Sequence, residues 1–327
     1  MANPNERRAT PDGGTRGAAL RAVALMGPTG SGKSGMALPL CEDAGAAIVC
    51  CDSMQVYRHL DIGTAKASRE DQARVPHALL DCCELPDAFS AARWAAMAAD
   101  AIRSENDAGR VPLIVGGTGL YLRALVEGFS DIPPEKPGVR EGLFRRLEAE
   151  GIEALHAELG AVDAKTAERL HATDTQRILR ALAVYHSSGR ALSEWLSRGP
   201  QAMPGNIPVF VLEVPRERLR ERIAGRFHAM LGNGWLDEVH WLDDLHLPGT
   251  HPAMRAVGYR QLLAHVRGES SLEKAASEGI TATRHYAKRQ VTWFSNQTPD
   301  AVRGDADRLA PLIAGALATA RKELHAS

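Results

Sequence analysis

Residues 24–34 read ALMGPTGSGKS, and no other stretch limits the fold so tightly. An apolar run enters a glycine-rich loop, and a helix-forming run leaves it after Lys33 and Ser34. Strand, loop, Lys-Ser and helix in that order form a phosphate-cradling loop. Its backbone N–H groups and the helix N-terminus make a nest for phosphate oxygens. Lys33 adds a point charge, and the Ser34 hydroxyl can ligate Mg²⁺. The loop Gly27, Pro28, Thr29, Gly30, Ser31, Gly32, Lys33 and Ser34 is therefore the candidate phosphate site.

The rest of the chain reads as the sheet that such a loop needs. After the strand at 22–27 and a helix to about Glu42, AAIVCCD ends a second strand at Asp52. VPLIVGGT ends a third at Thr118, and VFVLEV (209–214) gives a fourth. Continuous apolar runs of this kind suit strands buried on both faces of a parallel sheet. Helices lie between them, notably AARWAAMAADAIRSENDAG, closed by Gly109. Pro215 starts a later helix with the apolar stripe Leu219, Ile223, Phe227, Met230 and Leu231.

Two Pro/Gly-rich stretches, SDIPPEKPG (130–138) and RGPQAMPGNIP (198–208), bracket a helical region. The expected fold is α/β: a P-loop parallel sheet core flanked by helices, with an inserted all-helical domain. The core takes 22–130 and 205–327, and the insert takes 131–204. Residues 1–21, rich in Gly, Pro and Arg and without an apolar segment, read as a disordered tail and not a signal peptide.

In an open parallel sheet, ligands bind beyond the carboxyl ends of the strands. Three strand ends carry polar groups: the loop, Asp52-Ser53, and Gly116-Gly117-Thr118. Asp52 fits three roles: an acid holding Mg²⁺, a general base beside the phosphate, or a helix cap. Thr118 fits a ligand contact or an N-cap. Farther on, Arg177 and Arg180 share a helix face, and Thr173 with Gln176 fits a capping box before them. Arg222 and Arg226 share another face. TRHYAKRQVTWF (283–294) interleaves basic and aromatic residues, a pattern suited to phosphate contact and base stacking. RAVGYRQ (255–261) is a second such cluster.

Composition excludes some classes. The net charge of −1 gives no global attraction to nucleic acid, so any polyanion site must be local. Five cysteines without zinc spacing read as buried small hydrophobes in a reducing cytosol. No apolar run approaches the ~18 residues of a membrane span. A guanine-reading N-K-x-D is missing, as are the lid arginines of an adenylate-type kinase. A small-molecule P-loop kinase or NTPase, and a non-catalytic RNA-binding protein, remain the competing readings of the loop alone.

The wider pattern resembles the tRNA dimethylallyltransferases of bacterial type. The motifs GPTGSGKS, DSMQVYRHLDIGTAK, PH, VGGTGLYLRAL, DTQRILRALAVY, RFHAML, RAVGYRQ and TRHYAKRQVTWF occur in order over about residues 22–298. The resemblance implies that the loop holds the diphosphate of dimethylallyl diphosphate, and that the acceptor is N6 of adenosine 37 beside the tRNA anticodon. It implies catalytic roles for Asp52, Thr118 and Arg226, with Mg²⁺ as cofactor at Ser34. It further implies contacts with the anticodon stem-loop at Asp52, Ser53, Met54, Gln55, Thr118 and Arg140. On the insert these continue at Gln176, Arg177, Ile178, Leu179 and Arg180. The RAVGYRQ segment adds Arg255, Ala256, Val257, Gly258, Tyr259 and Arg260. The last helix adds Lys288, Arg289, Gln290, Val291, Thr292, Trp293, Phe294 and Ser295. Relatives often carry Arg where this chain has Ser295, which departs from the pattern. A cytoplasmic monomer without membrane contact is expected.

Overall fold

The computed structural model describes residues 19–128, 132–133, 135–197, 205 and 207–326. The tail expected at 1–21 lies outside it up to residue 18, as do the expected insert boundaries at 130–131 and 204.

The first half alternates strands and helices: β1 (Val23–Met26), α1 (Lys33–Ala44), β2 (Ile48–Cys51), α2 (Arg69–Arg74), β3 (His77–Ala78), α3 (Ala91–Asp107), β4 (Leu113–Gly116) and α4 (Gly119–Val126). Four helices follow: α5 (Val139–Val162), α6 (Ala164–Arg169), α7 (Thr175–Ser188) and α8 (Leu192–Ser197). The chain then returns as β5 (Val209–Leu212), α9 (Arg216–Gly232), α10 (Trp235–Asp244), α11 (Tyr259–Val266), α12 (Leu272–Gln297), β6 (Val302–Gly304) and α13 (Ala306–His325).

The six strands form one sheet in the order β3-β2-β4-β1-β5-β6, every pairing parallel. β1, β2 and β4 are buried at every residue, the reason their sequences are unbroken apolar runs. Register places Met26 and Cys51 both opposite Gly116. The carboxyl ends of β1, β2 and β4 are thus level, and the glycine loop, Asp52 and Thr118 emerge side by side. Gly116 is required there, since a Cβ would stand 2.0 Å from the Cys51 carbonyl oxygen.

One face of the sheet packs on α3, α4 and the α9–α12 helices through residues such as Trp94, Leu122, Ile223 and Phe294. The other packs on α1 and α13 through Cys41, Leu309 and Ile313. The α5–α8 helices have a core of their own, built from Leu143, Leu155, Leu159, Ile178 and Leu182. The cysteines are free; Cys82 is half-buried and the other four are buried.

Three local expectations shift. α7 is capped by Asp174, whose carboxylate accepts the Arg177 N–H at 3.3 Å, so the Thr173–Gln176 box does not form. The aspartate wins because it stands directly before the first helical residue. Pro215 is the N-cap of α9 and not its first helical residue. β3 and β6, of two and three residues, carry no apolar run that a sequence reading could detect.

Candidate active site

The loop bends through three glycines with positive φ: Gly27 (156°), Gly30 (80°) and Gly32 (98°). Gly32 precedes α1, whose free N-terminal amides open on the cavity that Gly32, Lys33 and Ser34 line. Lys33 Nζ folds back to donate to the Pro28 carbonyl at 2.8 Å and to Ser31 Oγ at 3.3 Å. Burial pulls the Lys33 ammonium down to about 8; Asp52 opposes that fall and Arg226 adds to it. Two α9 arginines hold the loop from the far side. Arg226 donates to Thr29 Oγ1 at 2.6 Å, and Arg222 donates to the Ser31 carbonyl at 2.9 Å. Burial lowers the Arg226 guanidinium from its ordinary value, with Asp52 countering.

The other two strand ends are tied to this loop. Asp52 Oδ1 accepts the N–H groups of Met54 (2.8 Å) and Gln55 (3.4 Å), which fixes the carboxylate in a tight turn. Thr118 stands at the N-cap of α4, yet its hydroxyl does not cap that helix. It accepts the Ser53 N–H at 3.1 Å and so joins β4 to the Asp52 turn. From α12, Gln290 donates to the Gly117 carbonyl and accepts the Thr29 N–H, both at 2.8 Å. Gly117 has no room for a side chain, because a Cβ would lie 2.3 Å from Gln290 Nε2.

A strap at residues 61–67 crosses this region. The Gln55 side chain accepts from Cys50 Sγ (3.0 Å) and donates to the carbonyls of Thr64 (3.0 Å) and Ala65 (3.2 Å). Lys66 Nζ, almost fully buried, meets Asp61 (2.5 Å), Asp81 (2.6 Å) and the Tyr57 carbonyl (2.9 Å).

Two cavities meet at the strap. One, of about 730 Å³, is lined by the loop, Lys33, Ser34, Asp52, Lys66, His77, Arg222 and Gln290. The other, of about 290 Å³, is lined by Ser53, Met54, Phe227, Met230, Trp235, Arg255, Val257, Tyr286 and Arg289. Thr29, Asp52, Thr64 and Arg226 line both. The first has the amides and cations that suit a phosphate. The second has the aromatic walls and arginines that suit a nucleobase. Burial pushes the Tyr286 phenol well up, with the Asp52 charge adding to it, so it stays a neutral hydrogen-bonding group. Outside, Arg255, Arg260, His285 and Arg289 edge a smaller cavity, and Lys288, Arg289, Thr292 and Trp293 line another on α12.

The remaining expected contacts divide by burial. Gln176, Arg177, Arg180 and Arg140 are exposed on the α5–α8 unit. Arg140 and Arg180 share Glu135, at 2.8 and 2.5 Å, and Arg177 pairs with Asp174 at 2.8 Å. Ile178 and Leu179 belong to that unit's core, so their side chains are packing groups and not a contact surface. Tyr259 (1% exposed) and Phe294 (1% exposed) are likewise core residues. Gly258 is buried against Trp235, where a Cβ would come within 2.3 Å of the ring. Gln290 is buried on the loop and Gln55 is spent on the strap, so both line the phosphate cavity with their amides already bonded within the protein. Ala256 is half-buried, while Val291 and Ser295 are exposed and line a separate hollow with Glu213 and Arg303. Sequence reasoning missed Thr64 and Lys66 as site residues, whereas Tyr286 belongs to the run read as suited to base stacking. Both missed residues sit in GTAK, a stretch with no pattern of its own that marks a site.

Among the described residues, no group of three or more His, Cys, Asp or Glu could hold a metal ion. No described helix is long and apolar enough to cross a membrane.

The sequence model described as IPP transferase matches residues 55–297. A tRNA dimethylallyltransferase of Nitrobacter hamburgensis is 45% identical over 293 residues, covering 89% of this chain and 92% of the relative. That of Rhodospirillum centenum is 46% identical over 290 residues, covering 88% and 92%. Among solved structures, the full-length tRNA isopentenylpyrophosphate transferase of Bacillus halodurans aligns with a TM-score of 0.67 at 31% identity, covering 94% of this chain and 98% of that one. A eukaryotic dimethylallyltransferase acting on tRNA shares the fold with a TM-score of 0.74 at 24% identity, covering 88% and 74%.

Proposed function

The chain belongs to the tRNA dimethylallyltransferase (IPP transferase) family, and from that premise we propose how its own residues perform the transfer. The enzyme moves a dimethylallyl group from dimethylallyl diphosphate to N6 of adenosine 37 of tRNA, beside the anticodon, and releases diphosphate. One observation carries the assignment of parts: Thr29, Asp52, Thr64 and Arg226 line both cavities. A donor on the loop and an adenine in the aromatic cavity would therefore meet beside Asp52.

The diphosphate lies against the loop amides, with Lys33 and Arg226 as its cations. Ser34 is exposed at the start of α1 and offers a hard oxygen. With so few protein donors, Mg²⁺ would take its other ligands from diphosphate oxygens and water, which is usual for this ion. When bound, the metal neutralises diphosphate charge.

The adenine amine is a weak nucleophile, its lone pair delocalised into the ring. As N6 attacks the allylic carbon, its bond to that carbon forms and the carbon–oxygen bond to diphosphate breaks. Asp52 takes the proton that N6 gives up. Its Oδ1 is held by two amides, so the carboxylate needs no reorientation. Charge growing on the diphosphate is met by donors already in place: the loop amides, Lys33 and Arg226. Thr118 holds the Ser53 amide and so keeps the Asp52 turn against β4. The base must leave its stack to enter the aromatic cavity, and Tyr286, Phe227 and Trp235 provide its walls.

Exposed arginines on α5 and α7, with Arg255, Arg260, Lys288 and Arg289 near the aromatic cavity, would grip the stem-loop backbone. A tRNA substrate supports a cytoplasmic site of action, and the expected monomer is tested by the mass of the protein in solution. The direct test mixes the protein with Mg²⁺, labelled dimethylallyl diphosphate and unmodified tRNA. Label on N6 of an anticodon-loop adenosine is expected. Turnover of ATP without RNA, and no label on tRNA, would refute the assignment.

A further inference from the structure

Glu238, on α10, lines neither cavity, yet four donors converge on its carboxylate. The N–H groups of Asp61 and Ile62 meet Oε2 at 2.7 and 2.8 Å. The Gly63 N–H meets Oε1 at 3.0 Å, and the Tyr259 hydroxyl donates to the same oxygen at 2.5 Å. A carboxylate is acceptor-only with about four lone-pair sites, so it matches four donors without a mismatch.

The contact joins distant parts of the chain. Gln55 and Lys66 hold the strap from within its own segment, whereas Glu238 reaches it from the C-terminal half. Trp235, one turn earlier on α10, presses on the strap as well. A Cβ at Gly63 would fall 2.0 Å from its Nε1, so the strap cannot rise from the helix on a side chain. Gly63 and Thr64 line the aromatic cavity, and Thr64, Ala65 and Lys66 line the phosphate cavity. Tyr259 opens α11, directly after the segment that supplies Arg255 and Val257 to the aromatic cavity.

We propose that Glu238 is a positioning residue for the transfer: it sets the 61–67 strap across the junction of the two cavities and locks it to the segment carrying Arg255 and Tyr259. The proposal rests on the activity assigned above. Its physical basis is that a displacement of about 1 Å among groups around a reacting centre can cost on the order of 100-fold in rate. Glutamine at this position brings an NH₂ group against the same donors, so at least one of them loses its acceptor and the strap shifts.

The test compares wild type with Glu238→Gln and Glu238→Asp, using the full chain, labelled dimethylallyl diphosphate and unmodified tRNA. Glu238→Gln is expected to lower the single-turnover rate by about 10- to 100-fold, on the scale of a 1 Å misplacement. It should also raise the half-saturating concentration of dimethylallyl diphosphate. The tRNA dissociation constant should stay close to wild type, while the thermal midpoint should fall by a few degrees because a donor is left unmatched. Glu238→Asp keeps the charge and should fall between the two; it carries the test alone if the glutamine chain does not fold. A wild-type rate in the folded variant overturns the proposal. So does a rate loss matched by an equal loss in tRNA affinity, which would mark a general structural role. Failure of the activity assignment is separately visible, since the unsubstituted chain would then transfer no label, and this proposal would fall with it.

Discussion

Gln290 accepts the backbone N–H of Thr29 at 2.8 Å across 261 residues of sequence. With its second bond, to Gly117, the buried amide fastens the glycine loop to the end of β4. Gln290→Glu replaces the Nε2 donor with an acceptor facing the Gly117 carbonyl. Leaving a buried group unmatched costs about 1–3 kcal/mol. The variant should unfold at a lower temperature and bind inorganic diphosphate more weakly. Calorimetric unfolding and diphosphate titration check both, and an unchanged diphosphate affinity would show that the loop holds its shape without this anchor.

Lys33 gives the site a pH dependence. Burial places its ammonium near 8, against an ordinary value of 10.5. The free enzyme therefore loses this charge as pH rises through about 8. A diphosphate favours the charged lysine, so binding above that pH takes up a proton. Diphosphate affinity should fall as pH rises toward 10.5, and the measured binding enthalpy should vary with the buffer's ionisation enthalpy. Lys33→Arg, which stays charged, should abolish that variation. Without ligand, the unfolded chain binds the proton that the folded one has released, so Lys33 makes stability rise with pH across the same window. An enthalpy independent of buffer in wild type would count against a titrating Lys33.

Asp52→Asn separates proton transfer from architecture. Asparagine Oδ1 can still accept the Met54 and Gln55 amides, so the turn should survive. Loss of the base should slow the chemical step by about 10²–10⁴, a barrier increase of roughly 3–5.5 kcal/mol. Both substrates should bind within a few-fold of wild type. If Asp52 served chiefly to hold Mg²⁺, diphosphate affinity would fall and added Mg²⁺ would restore part of the rate. Single-turnover rates across a Mg²⁺ series distinguish the outcomes.

Arg177→Ala and Arg180→Ala should each weaken tRNA binding and reduce its salt slope by roughly one charge equivalent. Arg180 shares Glu135 with Arg140, so its removal also leaves that carboxylate with one partner fewer. It should be the more costly of the two. Filter binding from low to moderate salt reads both slopes, and equal unchanged slopes would leave these side chains as solvated ion pairs.

The glycine loop, the four long apolar strands and the helical insert were legible because each rests on a local pattern: spacing, periodicity or punctuation. Asp52 and Thr118 were legible as candidate site residues because they end buried strands. Their bonds were not. The hydroxyl of Thr118 goes to Ser53 across two strand ends, and no local rule announces such a contact. The family pattern also carried whole runs into the contact surface without distinguishing faces. Ile178 and Leu179 fall between exposed Arg177 and Arg180, and a helix necessarily turns such neighbours inward. Glu238 and Gln290 were opaque for another reason: a polar residue on an ordinary helix shows its role only when its distant partners are in place.

The central strand β1 lies between β4 and β5, and that order has a consequence for biosynthesis. Its second neighbour, beginning at Val209, follows Met26 by about 180 residues. At roughly 5–20 residues per second, a ribosome needs on the order of ten to forty seconds to cross that gap. Once β4 has emerged, β1, wholly apolar, has it on one flank and an open row of backbone donors and acceptors on the other. The nascent chain must keep that edge from other strands until β5 emerges, so synthesis that stalls within the helical insert leaves an apolar strand edge open to mispairing.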